Sequence, residues 1–414
     1  MVELLLVVGL AVAVFVGFNI GGSSTGVAFG PAVGSNSISK FWAAALMSGF
    51  ALLGGWTAGR EVIKTMGGRI VPAYKFTLAA SVVILLFIGL ALLISNLFGV
   101  PASTSMTAVG ATAGMGVASG TLRWEVMGGI VSWWILAPVM AFWVCAVIGR
   151  YFYPALATRF GVDTSTGSIF ERRRVAGIPL VWVAEDTSRR EAISGVLVVV
   201  IGCYMAYSAG ASNVANAVAP LYSIQALGEG FAFYVLIGGG AIGLGAFTIA
   251  RRTLDTVGND LTDLPLLAAL IVEVVSASLI TFLSLNGIPA SLAVSATMSI
   301  VGLGWGRATR TTTITQAAEQ AVKGDGAAQA DGGPERVTGP AQKNKPKKTV
   351  GGALQADKPG ESVAPIGEEK PDELAASDLF DPGTTGRVIG LWIVTPSLSA
   401  AASYLLFSVF PIYG

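Results

Sequence analysis

Long apolar runs alternate with short polar breaks along the whole chain. Apolar stretches lie at 3–19, 41–58, 76–98, 126–149, 191–209, 230–250, 264–286 and 388–409. Each is near the roughly 20 residues that a helix needs to cross a bilayer. Between them sit four apolar pieces punctuated by Gly, Pro, Ser and Thr, at 21–37, 101–120, 211–227 and 289–306. Irregular backbone at membrane depth is tolerated only where it is buried in protein or lines a polar cavity. These pieces are therefore predicted to be interrupted or re-entrant half-helices, and function is expected there.

Two stretches do not belong in a membrane. Residues 150–190 carry Arg150, Arg159, the run Arg172-Arg173-Arg174, Arg189 and Arg190 among acids, and read as a linker. Residues 308–384 are Ala, Gly, Lys, Glu and Pro with almost no large apolar side chain. Such a composition does not offset the entropy of folding, so this is predicted to be a disordered polar loop. Excess positive charge marks the cytoplasmic side, which places both stretches there. The Arg172–Arg174 run sets topology in this reading, with membrane lipid head groups as its other partner. The first run follows Glu3 and no Lys or Arg, whereas a secretory signal wants a positive start. It is read as a retained span, with both chain termini expected outside the cell membrane.

Composition narrows the function. Of 414 residues 53% are hydrophobic and 12% charged, against about a quarter charged in soluble domains, which excludes an ordinary soluble enzyme. A net charge of +1 carries no basic stripe for nucleic acid. The absence of His removes the commonest general base and the imidazole metal ligand. No catalytic residue and no metal site is expected, so the chain is not read as an enzyme. Cys145 and Cys203 sit inside apolar runs and read as small buried hydrophobes.

The chain repeats itself. Gly21-Gly22-Ser23-Ser24-Thr25-Gly26-Val27-Ala28 matches Gly210-Ala211-Ser212-Asn213-Val214-Ala215-Asn216-Ala217 at an offset of 189. Arg60 with Thr65-Met66-Gly67 matches Arg251 with Thr256-Val257-Gly258 at 191, and Pro101-Ala102-Ser103 matches Pro289-Ala290-Ser291 at 188. Trp134-Ile135-x-x-Pro138 then matches Trp392-Ile393-x-x-Pro396 at 258, which makes the 308–384 loop an insertion in the second copy. Residues 60–75 are basic overall, while 251–263 carry Asp255, Asp260 and Asp263. Opposite loop charge is what two halves crossing in opposite senses predict. The expected fold is an all-α polytopic membrane protein of two inverted repeats. Residues 1–149 form the first repeat, 150–190 a cytoplasmic linker, and 191–307 the second repeat as far as the 308–384 insertion. Residues 385–414 supply its last helix.

The punctuated pieces suggest the chemistry. Proline at a first helical position followed by hydroxyls starts a half-helix whose free N–H groups attract an anion. Ser103, Thr104 and Ser105 add hydroxyl donors in one copy, and Ser291 alone does so in the other. Ser23 and Ser24, with Ser212, Asn213 and Asn216, would complete the anion site or hold a small cation. Glu273 is the carboxylate well inside a predicted span, which makes it the candidate for a coupling ion. The glycines from Gly238 to Gly245 lack the Lys of a phosphate loop and read as a close-packing surface.

These motifs resemble the PiT-type inorganic phosphate transporter family, over about residues 17–410 without the two polar loops. The family carries G-A-N-D-V-A-N-A once per half, and residues 210–217 look very like the second copy. It also carries P-V-S-T-T-H in each half, which Pro101 to Met106 resembles closely and Pro289 to Val294 in part. The resemblance implies an inverted-repeat transporter taking inorganic phosphate inward, driven by Na+ or H+. Family Asp is Ser24 in the first motif and Asn213 in the second, and family His is Met106 and Val294. Any sodium held by those carboxylates has lost its ligands here.

The sequence therefore reads as a secondary transporter for phosphate working by alternating access, with no cofactor other than a coupling ion. Sulfate, or another tetrahedral oxyanion, is the runner-up, because a site of hydroxyls and amides suits a fully deprotonated anion. A sulfate-permease branch of the family shows an N-I-G-A-S-like first motif comparable to Asn19-Ile20-Gly21-Gly22-Ser23. An anion channel ranks below both, and a homo-oligomer is left open.

Overall fold

The structure, a computed structural model, describes residues 2–97, 103–159, 170–175, 178–183, 189–248, 265–311, 313, 365–366 and 382–414. The 308–384 insertion and the 251–263 loop therefore fall almost wholly outside the described residues. So do Pro101 and Ala102.

Apolar length makes the helices. In the first half α1 is Val2–Gly34, α2 Lys40–Trp56, α3 Gly59–Lys64, α4 Leu78–Leu97, α5 Thr104–Ala118 and α6 Trp124–Val147. A π-turn at Ile148–Phe152 carries α6 into α7, Tyr153–Arg159. The second half has α8 Arg189–Ser223, α9 Phe231–Thr248, α10 Leu266–Leu285, α11 Leu292–Ala308 and α12 Pro382–Val409. Among the described residues six helices are long and apolar enough to cross a membrane, and α2 with α3, bent by 62°, makes a seventh if taken as one span. The protein is a multi-pass membrane protein, and its candidate spans are all helical. The linker between α7 and α8 adds a small feature: an antiparallel hairpin, β1 Phe170–Val175 paired with β2 Ile178–Val183, in which Phe170 faces Val183 and Val175 faces Ile178.

Two of the four punctuated pieces are not breaks. Residues 21–34 continue α1, and 211–223 continue α8, giving helices of 33 and 35 residues. At 1.5 Å per residue these reach about 50 Å, well beyond the ~30 Å hydrocarbon core. Small polar residues are absorbed because their hydroxyls bond back one turn. Ser23 donates to the Ile20 carbonyl at 3.1 Å, Thr25 to Gly21 at 2.6 Å, and Ser212 to Ala209 at 3.4 Å.

The other two pieces are true helix starts. α5 begins after Ser103 (φ −80°, ψ 89°), and α11 after Ser291 (φ −95°, ψ 117°). Proline does not take the first helical position in the second copy. Pro289 lies three residues ahead of Leu292, because Ser291 is the better N-cap and its Oγ accepts from Val294 N at 3.4 Å. The Pro289 carbonyl instead accepts from Trp134 Nε1 at 2.8 Å.

Helix packing is reciprocal between the halves. α1 crosses α9, and α2 crosses α8; α5 lies along α12, and α11 along α6. Each crossing brings backbones together at glycine. A Cβ on Gly21 would strike the Ile242 carbonyl and one on Gly245 that of Phe18; Gly54 and Gly210 stand likewise against Tyr207 and Ala51. The Gly110/Gly114 pair meets Pro396 and Ala400, as Gly302/Gly306 meets Phe142 and Ala146. This small-xxx-small spacing is how membrane helices approach without a hydrophobic driving force. In α9, Gly238, Gly239, Gly243 and Gly245 are packing glycines as read from the sequence, while Gly240 faces open space. Cys145 and Cys203 are buried free thiols.

Candidate functional site

A cavity of about 80 Å³ opens where the two true helix starts meet, lined by Ser23, Ser24, Val27, Leu92, Thr104, Ser105, Asn213, Ser291, Leu292 and Ala293. On this measure one water needs about 10–15 Å³, so the space suits a few waters or one small tetrahedral anion. α1 contributes Ser23, Ser24 and Val27, α4 Leu92, and α8 Asn213. The N-termini of α5 and α11 supply the rest.

Helix starts matter because their first N–H groups lack an intrahelical partner. In α5 the first bond of the ladder runs from Thr107 N to Ser103 O, at 3.0 Å, which leaves the amides of Thr104, Ser105 and Met106 outside the ladder. Ser103 offers them no side-chain cap. In α11 the cap covers Val294 N, leaving those of Leu292 and Ala293, both on the wall. Two positive helix ends thus converge on one space. An anion gains about 0.3–1 kcal/mol from each such end, and up to ~2 kcal/mol where partly buried.

Among the described residues no Asp, Glu, Lys or Arg is on this wall. Its polar groups are hydroxyls and one amide, oriented by a buried neighbour. Asn216 Nδ2 donates to Ser105 Oγ at 3.2 Å and to Asn213 Oδ1 at 3.1 Å. With their oxygens accepting, Ser105 is left its O–H and Asn213 its NH2 to turn toward the cavity. Asn216 Oδ1 has no partner among the described residues.

Six of the nine residues selected from sequence for the anion are on this wall: Ser23, Ser24, Thr104, Ser105, Asn213 and Ser291. Ser103, Ser212 and Asn216 are not. Ser103 is fully buried, its Oγ without a partner among the described residues. Ser212 bonds back to its own helix, and Asn216 acts through Ser105 and Asn213. Glu273, on α10, is also away from the wall. It is 4% exposed, and neither carboxylate oxygen has a hydrogen-bond partner among the described residues.

Ser24 and Asn213, the two positions where the resemblance carries Asp, line the same cavity. The two His positions meet as well: Met106 and Val294 pack with Trp392 in one apolar cluster, against Trp134 and Met298. Sequence reasoning missed the backbone donors at Leu292 and Ala293, since an apolar side chain says nothing about its own N–H. It also missed Trp134, whose indole fixes the segment ahead of α11; the signal was the repeated Trp-Ile-x-x-Pro.

A profile described as the phosphate transporter family matches residues 20–403. The sulfate permease CysP of Bacillus subtilis is 31% identical over 293 residues, 70% of this chain and 75% of that protein. A putative phosphate permease of Haemophilus influenzae is 26% identical over 127 residues, 28% of this chain and 30% of that one. Among solved structures, one titled the sodium-dependent phosphate transporter aligns with a TM-score of 0.63 at 18% identity, over 98% of this chain and 99% of its own, which is a likeness of fold. With its profile match running nearly end to end and its fold shared along the whole chain, the protein belongs to the phosphate transporter family.

Proposed function

We propose that the cavity is the substrate site of a secondary transporter that moves an inorganic tetrahedral oxyanion across the cell membrane by alternating access. The observation that carries this reading is the convergence of the α5 and α11 N-termini, with Thr104, Ser105, Ser291, Ser23, Ser24 and Asn213, on one small uncharged cavity. Free amides, hydroxyls and helix dipoles hold an anion without a fixed cation. Ser103, Ser212 and Asn216 belong to the layer behind the wall. The two-repeat organisation, residues 1–149 against 191–307 with 385–414, is supported by the reciprocal packing of α1, α2, α5 and α6 with α9, α8, α12 and α11. The 150–190 and 308–384 segments are placed on the cytoplasmic side by their charge, with both termini outside.

Phosphate is the anion expected from the sequence, and the putative phosphate permease among the relatives supports it. One observation favours sulfate. Monohydrogen phosphate keeps an O–H that wants an acceptor, and among the described residues the wall holds no carboxylate. A donor-rich wall suits a dianion without a proton, and the relative matched over 70% of this chain is named a sulfate permease. Sulfate is therefore the second reading, set beside phosphate by the chemistry of the wall.

Glu273 is our candidate for coupling. A carboxyl buried in a span with no hydrogen-bond partner among the described residues is a place to hold a proton or Na+, and it lies outside the substrate cavity. The test is uptake of labelled phosphate and sulfate into proteoliposomes under a Na+ gradient, a proton gradient or neither. Concentrative uptake of either oxyanion supports the reading, and the effective gradient names the ion. Uptake that never exceeds equilibrium, with no exchange of labelled for unlabelled oxyanion between equal pools faster than net flux, would make the protein a channel and end the transporter reading.

A further inference from the structure

The turn between α10 and α11 is a rigid tip. Gly287 takes φ +70°. Its N–H donates to the Ser284 carbonyl at 2.9 Å, and that of Ile288 donates to Leu283 at 2.9 Å. These two bonds around a left-handed glycine make a Schellman cap, which fixes the shape of the tip. The wall residues Ser291, Leu292 and Ala293 come next along the chain.

The tip is held by one set of helices and rests on another. Trp134 of α6 donates to its Pro289 carbonyl, and α6 lies along α11 at Gly302 and Gly306. α3 and the π-turn that follows it, Thr65–Arg69, are fixed instead to α8. There Gly59 stands against the Ala211 carbonyl and Gly67 against that of Ala219. Gly287 presses on this second set. A Cβ on it would lie 2.8 Å from Thr65 Oγ1, 3.1 Å from Arg69 Nη1 and 3.2 Å from the Glu61 carbonyl. α10 is bonded to α8 lower down, where Ser208 donates to the Ala277 carbonyl and Tyr204 to Ser278, about two turns from the tip.

The seam is tight but unbonded. Among the described residues no hydrogen bond joins residues 286–290 to α3 or its π-turn. The α3 side satisfies its own polar groups. Glu61 accepts from Lys64 Nζ at 2.6 Å and from Arg69 Nη2 at 2.8 Å, and Arg69 Nη1 donates to Thr65 Oγ1 at 3.3 Å. Two such surfaces part without stranding a donor or an acceptor. One turn below the tip, Ser284 Oγ is fully buried with no partner among the described residues. The closed arrangement thus lacks a hydrogen bond that water would supply on opening.

We propose that this tip is a gate of the oxyanion cavity, closed in this structure, which leaves Thr65 and Arg69 in each transport cycle. It serves the face opposite the 150–190 linker, since the far end of α11 stands against Gly149, just before that linker. The inference rests on the alternating-access reading, which requires a contact that breaks on each face.

Oxidising the double variant Thr65→Cys with Gly287→Cys would bridge the tip to α3, because the two side chains meet in the same space. Uptake and equal-pool exchange in proteoliposomes should fall at least ten-fold and return with a reductant. A bridged variant that transports as fast as its reduced form overturns the inference. Thr65→Cys alone, in nanodiscs open on both faces, decides the matter where the double variant does not fold or bridge. Thr65 is 4% exposed at the seam, whereas Met66 beside it is 1% exposed and packs in the core. A water-soluble maleimide should label Thr65→Cys at least ten-fold faster than Met66→Cys, the native Cys145 and Cys203 being buried. Equal labelling of the two overturns the gate. Labelling reads the tip and needs no flux, so a native chain that carries neither oxyanion ends the transporter reading separately.

Discussion

Asn216 on α8 donates to Ser105 on α5, Nδ2 to Oγ at 3.2 Å, across 111 positions of the chain. The same nitrogen donates to Asn213 Oδ1, three residues earlier on its own helix. One buried amide thereby turns two residues of the cavity wall into donors. A site built this way grips an anion through hydrogen bonds that strengthen with its charge, and it is poor in acceptors for a bound proton.

That arrangement predicts a selectivity switch. Asn213→Asp places an acceptor and a negative charge on the wall, which repels sulfate and accepts the O–H of monohydrogen phosphate. The ratio of phosphate to sulfate uptake should rise at least ten-fold in competition assays. An unchanged ratio would remove Asn213 from the site.

Wall and backing residues should behave differently on truncation. Thr104→Val with Ser105→Ala removes two hydroxyls from the cavity, and a hydrogen bond to a charged group is worth roughly 1.5–3 kcal/mol. Uptake should fall ten- to a hundred-fold with the protein still monodisperse in detergent. Ser103→Ala deletes a buried hydroxyl that has no partner among the described residues, so it should cost less than ~1 kcal/mol in thermal stability and leave uptake within two-fold.

Glu273→Gln is nearly isosteric and loses no hydrogen bond among the described residues, so the folded protein should survive it. Exchange of oxyanion between two equal pools should continue, whereas gradient-driven accumulation should stop. Accumulation persisting in the variant would assign coupling elsewhere.

The crossings of α11 with α6 leave no room for a side chain. Gly302→Val or Gly306→Val would push a Cβ into the backbone of Phe142 or Ala146. Overpacking typically costs about 1–3 kcal/mol and more where backbone must move, so a drop in melting temperature or a loss of the monodisperse peak is expected. Gly240→Ala, whose Cβ meets nothing within 4 Å, should match or exceed the native melting temperature.

Much of this was legible in the residues themselves. Apolar length alone marks the spans, since no water is available at that depth to satisfy an unfolded backbone. The duplicated motifs pointed to the matching positions in each half, and Ser103 and Ser291 flagged where two short helices begin. Tertiary structure decided the rest. Whether a Gly/Ser piece breaks a helix depends on the neighbour that crosses it: at Gly21 and Gly210 other backbones fill the space, and α1 and α8 run straight through. Which hydroxyl reaches the cavity is a matter of helix rotation, so Ser105 is on the wall while Ser103, two residues back, is sealed in protein. The pairing of Asn216 with Ser105 joins residues from opposite halves, and the contact exists only after α5 has settled against α8. Local patterns dictate the elements because backbone satisfaction is local; the site is dictated by how those elements meet.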